Sequence, residues 1–226
     1  MIQVFEKLEA VPSPPPQGTY VVVDVLRFST TACTIFDRGA QSIRPVRSEE
    51  EAFQYREDHE HTLLAGEEHA KRIPGFDAGN SPSRFCQMDL TGLKVACLTS
   101  NGTRALNELS DRDVMIGCLS NAKATASLLG DHDTVHLVAC GSKGTSCQED
   151  VAGAELIRSY LEDRVPDDAF IKQIQEQVRS ASHAASLREK GHEEDVRFAT
   201  QVNRHDVVPA LQSDLLKPIT VHDHEE

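Results

Sequence analysis

A chain of 226 residues, 39% hydrophobic and 26% charged, is long enough for one large domain with a full core. Its formal net charge of −13 comes from 36 Asp and Glu spread along the chain, which argues against a nucleic-acid partner, since that calls for a basic face. No apolar run approaches the ~20 residues of a membrane span, and the opening Met1-Ile2-Gln3-Val4-Phe5-Glu6 lacks the pattern of a secretory leader, so no membrane partner and a cytoplasmic location are expected.

In chain order, 12–16 is Pro-rich and reads as a surface connection. Residues 19–26 are β-branched and apolar, a buried strand, with a helix near 29–38 closed by Gly39. Residues 42–47 form a strand, and Ser48-Glu49-Glu50-Glu51 has the spacing of a capping box that opens a helix. A short strand at 62–66 precedes an ordered Gly/Pro/Asn-rich loop at 73–82. Three further units follow the first pattern. Strand 93–99 leads through 100–103 to a helix ending at Leu109. Strand 114–118 leads through 119–121 to a helix ending at Leu129. Strand 134–140 leads through 141–146 to a helix from about Glu149. Residues 167–190 are strongly polar and helical, 192–200 suggest another helix, and the tail His222-Asp223-His224-Glu225-Glu226 should fray. Strands alternating with helices predict an α/β protein, a three-layer α/β/α sandwich on a mainly parallel sheet. A single domain over 1–226 is expected, with room for two closely packed lobes.

None of the six cysteines forms a CxxC pair, which argues against a zinc knuckle. Cys97, Cys118 and Cys140 sit in strand-like runs as small core residues, and Cys33 in a helix. Cys147, after a Gly/Ser-rich loop, is the one to watch for reactivity.

Polar residues gather where these strands should end. Asp24 and Arg27 follow the first, Glu67 and Glu68 the short one. Thr99, Ser100 and Asn101 follow the next, then Ser120 and Asn121, and finally Gly141 to Ser146 with Glu149 and Asp150. One such loop is ordinary turn chemistry and helix capping; five on one rim of a parallel sheet suggest a site. Hydroxyls and helix starts suit an oxyanion, as at Ser29 and Thr30, while Gly102, Gly141 and Gly144 allow close backbone approach and Arg27 and Lys143 add charge. Neither Gly-rich loop is a Walker A or GxGxxG motif. Asp24, Glu67 and Asp150 are oxygen donors of the kind Mg²⁺ prefers, and a metal beside an oxyanion cradle suits phosphate-ester hydrolysis. The ten histidines are scattered; His69 alone lies near a proposed site loop, and a solvated role suits it best.

Several blocks together resemble the 2-phosphosulfolactate phosphatase family. They are Val22-Val23-Asp24-Val25-Leu26-Arg27, Gly66-Glu67, Gly75-Phe76-Asp77-Ala78-Gly79-Asn80-Ser81-Pro82, Thr99-Ser100-Asn101-Gly102-Thr103, Ser120-Asn121-Ala122, and Cys140-Gly141 through Glu149-Asp150 to Gly153. A weaker block runs from Asp195 through Asp206 to Val208-Pro209. The resemblance implies a Mg²⁺-dependent phosphatase that converts 2-phospho-3-sulfolactate to 3-sulfolactate and phosphate, as in coenzyme M biosynthesis. By motif it implies Asp24, Arg27, Glu67, Asp77, Asn80, Asn101, Thr103, Asn121, Glu149 and Asp150 as site residues; among them Asp24, Arg27, Glu67, Asn101 and Glu149 are the catalytic candidates, and Asp24, Glu67 and Asp150 the metal candidates on their donor chemistry. Ser29, Thr30, Asp77, Asn80, Thr99, Gly102, Thr103, Asn121, Gly141 and Lys143 would bind substrate, a small phosphate ester. Which carboxylate is ligand and which is base stays open, as does a homo-oligomer. The loop 141–148 departs from the family form. Three other readings remain: a phosphatase for a different small anionic ester, a non-catalytic anion-binding domain, and a cysteine-dependent phosphatase using Cys147. The last lacks its Cys-x5-Arg loop, because Gly153 stands where the arginine belongs.

Overall fold

The computed structural model describes residues 1–221; the tail from His222 lies outside the described residues. A ten-stranded sheet, with helices around it in a three-layer α/β/α arrangement, has as its centre a run that cannot face water. Strand β2 (Thr19–Val23) has Tyr20, Val21, Val22 and Val23 all at zero exposure. A strand covered on both faces reads as a continuous apolar run, not an alternating one. It lies between β7 (Asp113–Gly117) and β8 (Val135–Ala139), with Val21 opposite Met115 on one side and Leu137 on the other, all parallel. Strand β1 (Ile2–Phe5) adds to the far side of β8, also parallel.

A second parallel group comprises β3 (Ser42–Pro45), β6 (Lys94–Leu98) and β4 (Thr62–Glu68), with β5 (Lys71–Arg72) turned back on the end of β4. An antiparallel hairpin, β9 (Val207–Gln212) and β10 (Leu215–Thr220), joins the two groups. It touches them at single register positions, Met115 to Ala210 and Leu216 to Ile43. Three successive antiparallel pairings separate β7 from β3, so the two parallel groups run in opposite senses. In a flat sheet their carboxyl ends would lie on opposite edges. Between β2 and β6 the sheet takes five strand steps, and at 20–25° of twist per step it turns roughly 100°.

The rims meet where two helices begin. α1 (Phe28–Asp37) follows β2 and α4 (Gly102–Glu108) follows β6, and Phe28 fills the space that a side chain at 102 would take: a Cβ there would stand 2.3 Å from its ring. The remaining helices are α2 (Glu49–Asp58), α3 (Pro82–Phe85), α5 (Ala122–Leu129), α6 (Gln148–Leu161), α7 (Asp168–Ser180), α8 (Ser182–Glu189) and α9 (Glu193–Ala199). Ser48 caps α2 as its spacing predicts, its Oγ accepting from Glu51 N at 3.2 Å.

The α/β class and the strand–helix units are as expected. The structure departs from the sequence reading in three places. The single parallel rim is two opposed groups. Strands β1, β5, β9 and β10 are not in the sequence reading: β1 is four residues at a terminus, β5 is only two residues long, and β9 and β10 carry Pro209 and Pro218, which demote a strand pattern. Those two prolines face each other in the hairpin, opposite one another in register. The polar stretch 167–190 is two helices, broken at Ala181, whose ψ of 146° is extended. Among the described residues no helix is long and apolar enough to cross a membrane.

Two outcomes test this packing. Gly102→Ala forces a methyl into Phe28, and overpacking of this kind costs about 1 to 3 kcal/mol; an unfolding free energy equal to the wild type's would contradict the meeting of the two helix starts. His205 is 2% exposed and neither ring nitrogen has a hydrogen-bond partner among the described residues, although Asp37 Oδ1 stands 3.5 Å from Nδ1. Burial holds its pKa below the ordinary histidine value, against the pull of Asp37. Above pH ~6.5 the ring is neutral in both states, and below it the unfolded chain takes a proton the folded ring refuses. Stability is therefore lost as pH falls, and His205→Gln should lose less over the same range. A wild-type-to-variant difference that does not change with pH would contradict this.

Candidate active site

The turn after β2 builds one side of the site. Ser29 N donates to Asp24 O at 2.8 Å, and Ser29 Oγ accepts from Asp24 N at 2.9 Å and donates to Val22 O. Thr30 Oγ1 donates to Val25 O at 2.9 Å. Both hydroxyls are fully buried and spent on the turn. Asp24 ends up at the start of α1, its Oδ1 3.3 Å from Phe28 N and its side chain nearly sealed from water. Burial first, with the negative charges of Glu67 and Glu149, raises its pKa to about 6, against His183 and the Phe28 N–H.

Asp150, in the first turn of α6, pins two strand ends together. Its Oδ1 accepts from Val25 N at 2.8 Å and its Oδ2 from Gly141 N at 3.0 Å. Burial, with Asp24 and Glu149 beside it, keeps its carboxyl well above the usual range. Gly141 is needed for shape: its φ is +65° and a Cβ would meet Thr145 O at 2.5 Å. Glu149, 2% exposed, accepts from His183 Nδ1 at 3.2 Å. That bond, with Asp24 nearby, raises the histidine's pKa in spite of its burial. Glu67, from β4 in the other strand group, closes the turn to β5, Oε2 accepting from Ala70 N at 2.5 Å.

Arg27 is buried in an ion pair with Asp195 of α9, Nη1 to Oδ2 at 2.7 Å, with the side chains 3% and 1% exposed. The charges of Glu67 and Glu149 act on Asp24, those of Asp24 and Glu149 on Asp150, and that of Arg27 on His183, so these residues share one region, which His183 and Asp195 also enter. The sequence reading did not single out these two as site residues. Both sit in polar helices with no local motif, although Asp195 opens the weak C-terminal block.

Several other expected site residues are committed elsewhere. Asn121 is fully buried, Oδ1 accepting from Cys118 N and Nδ2 donating to Ile116 O and Val207 O. Thr99 and Thr103 bond each other and close the turn into α4. Gly102 serves the contact with Phe28. Asp77 Oδ2 accepts from Leu64 N at 2.8 Å and ties its loop to β4. Lys143 is exposed on the turn that Ser142 and Thr145 close with paired backbone bonds. Asn101 starts α4 without a side-chain cap bond. Asn80 is 4% exposed and its Oδ1 has no partner among the described residues, although the next residue, Ser81, donates to Asp195. Burial, then Glu149 and Asp150, push the Cys147 thiol up to about 12, which disfavours a thiolate there.

Among the described residues no three His, Cys, Asp or Glu side chains are already drawn together as a metal site. The donor chemistry nonetheless fits a hard divalent cation: buried carboxylate oxygens whose mutual repulsion such a charge would relieve. Asp24 and Glu67 suit it better than Asp150, both of whose oxygens already accept backbone N–H groups.

The family model described as 2-phosphosulpholactate phosphatase matches residues 6–214. A probable 2-phosphosulfolactate phosphatase of Pseudothermotoga lettingae is 33% identical over 208 residues, covering 88% of this chain and 91% of that one. A second probable one, of Carboxydothermus hydrogenoformans, is 35% identical over 202 residues, 84% of each chain. The 2-phosphosulfolactate phosphatase of Methanocaldococcus jannaschii is 31% identical over 214 residues, 88% of this chain and 91% of that one. This chain belongs to that family of phosphoric monoester hydrolases.

The like charge around Asp24 has a stability consequence. Its folded pKa of about 6 lies above the ordinary aspartate value of 3.8, so the carboxylate costs stability as pH rises through that window. Asp24→Asn should raise Tm at pH 8 in metal-free buffer while impairing turnover. A lowered Tm would show that the Asp24 charge supports the fold.

Proposed function

We propose that the chain hydrolyses 2-phospho-3-sulfolactate to 3-sulfolactate and inorganic phosphate with Mg²⁺, the step that the resemblance implies in coenzyme M biosynthesis. The observation that carries this reading is the meeting of Asp24, Glu67, Glu149 and Asp150 beside a buried guanidinium. Four carboxylates in one field repel the very anion the site must accept. A divalent cation held by Asp24 and Glu67, with Asp150 behind them, would neutralise that field and polarise the phosphoryl oxygens.

The chain's own residues do the rest. Asp195 takes Arg27 Nη1, and among the described residues no acceptor takes Nε or Nη2, which leaves them for a phosphoryl oxygen. An arginine suits this because its fork is planar and its donors are fixed. Glu149 takes a proton from the attacking water as the water oxygen bonds to phosphorus. The bond from phosphorus to the ester oxygen breaks, and His183, protonated beside Glu149, returns a proton to the leaving alkoxide. Asn80 and Asn101 offer amide groups to the rest of the substrate. The sulfonate adds a second anion, so remote binding energy helps to orient the ester.

The assay is phosphate release from phosphosulfolactate, phospholactate and a neutral phosphomonoester. Phosphosulfolactate should give the highest kcat/KM, EDTA should abolish turnover, and Mg²⁺ should restore it. Full activity in a verified metal-free preparation would remove the metal. Anion binding without turnover on any ester would favour a non-catalytic domain, and equal turnover on the neutral ester would remove the sulfonate as a determinant.

A further inference from the structure

The Arg27 ion pair is one end of a longer brace. Asp195 is 1% exposed and carries more donors than an ion pair needs. Its Oδ2 accepts from Arg27 Nη1 at 2.7 Å, while its Oδ1 accepts from Ser81 Oγ at 2.7 Å, Ser83 Oγ at 2.6 Å and Ser83 N at 3.2 Å. The carboxylate is held on one side by the start of α3 and on the other by the arginine, so it has little freedom to turn. His192, one turn earlier at the start of α9, faces the same Oδ2 through Nδ1 at 3.5 Å. Its Nε2 lies 3.1 Å from Ala70 O and donates to it. Ala70 in turn donates its N–H to Glu67 Oε2. The hydrogen-bonded links are therefore Arg27 to Asp195, His192 to Ala70 and Ala70 to Glu67, and the step from Asp195 to His192 is a 3.5 Å contact.

We infer that Asp195 is the positioning residue for Arg27, and that His192 couples that position to the turn carrying Glu67. The inference rests on the functional reading above, in which Arg27 and Glu67 serve one substrate. The physical argument is one of orientation. An arginine without an anchor has several rotatable bonds and would pay entropy each time it grasped a phosphoryl group. A buried carboxylate that uses one Nη fixes the plane of the fork and leaves its other edge for the ligand. A buried pair is poor evidence for stability, since its desolvation offsets much of its attraction. Here the pair sits at the site and is cross-linked by two serines and a histidine. That arrangement holds an angle as well as a charge.

The test is a double-mutant cycle on the Mg²⁺-loaded chain with Asp195→Asn and Arg27→Lys, read in kcat/KM for phosphosulfolactate and in binding of inorganic phosphate by calorimetry. Asn keeps an acceptor for the serines but turns an amide toward the guanidinium. Asp195→Asn alone should lower kcat/KM by ~10²-fold, the scale of a misoriented group, and weaken phosphate. In the Arg27→Lys background the same change should cost far less, because the fork it orients has gone. Equal losses in both backgrounds would assign Asp195 a purely structural role and overturn the inference. Because Asp195→Asn can leave Arg27 buried without its partner and fail to fold, His192→Gln is the second variant. It keeps the ion pair and should raise KM for phosphosulfolactate while leaving Tm in place; a wild-type KM would overturn the coupling to Glu67. Should the wild type bind phosphate but not hydrolyse phosphosulfolactate, the functional reading fails, and the phosphate-binding cycle still decides the role of Asp195. A wild type that neither binds nor hydrolyses overturns both.

Discussion

Buried like charge is the constraint on which the structure turns. Asp24, Glu149 and Asp150 are each nearly sealed from water, and Glu67 acts on Asp24 from the other strand group. Desolvation and mutual repulsion both oppose this arrangement. It persists because other bonds leave it no alternative. Asp150 is gripped by the N–H groups of Val25 and Gly141, so it clamps the ends of β2 and β8 as it enters the site. Asp24 is locked into the turn by Ser29 and sits on the first N–H of α1. Concentrated strain of this kind at one place is what a site needing a cation and an anionic ligand would carry.

The sheet explains how the carboxylates come together. Two parallel groups of opposite sense deliver their carboxyl ends to one place because the β9–β10 hairpin reverses the direction and the accumulated twist swings the second group round. The contact of Phe28 with Gly102 then seals the two rims, and a glycine is required at that point. A site shared by two strand groups can change shape if they shift relative to each other. The Arg27–Asp195 ion pair, which Ser81 and Ser83 also grip, crosses between them and opposes such a shift.

Much of this was legible in the sequence because it is local. A valine run ending in Asp and Arg, glycines at turns, and a Ser-Glu-Glu-Glu cap each announce themselves within a few residues. The clustering of polar loops at strand ends also pointed to Asp24, Glu67, Glu149 and Asp150, whose charges act on one another in the fold. The reading failed where the determinant is long-range. Nothing near Val207 or Leu216 says that a proline-bearing hairpin will bridge two strand groups of opposite sense. Nothing near His183 says that it will meet Glu149, 34 positions away in the chain. The opposite error also occurred: Ser29, Thr30, Thr99, Thr103 and Asn121 look like ligand donors, yet their polar atoms are consumed by the turns they close. Residue type shows what a side chain can bond, and only the fold shows whether that capacity is already used.

The central claim is that a divalent cation and a phosphoryl group meet between these carboxylates and Arg27. The most direct test is a crystal structure with Mn²⁺ and inorganic phosphate, in which anomalous scattering locates the metal. The account predicts an anomalous peak in coordination distance, ~2.1 Å, of the Asp24 and Glu67 oxygens, with the phosphate between the metal and the free edge of the Arg27 fork. A peak elsewhere, or phosphate bound at the exposed Lys143 turn instead, would contradict it.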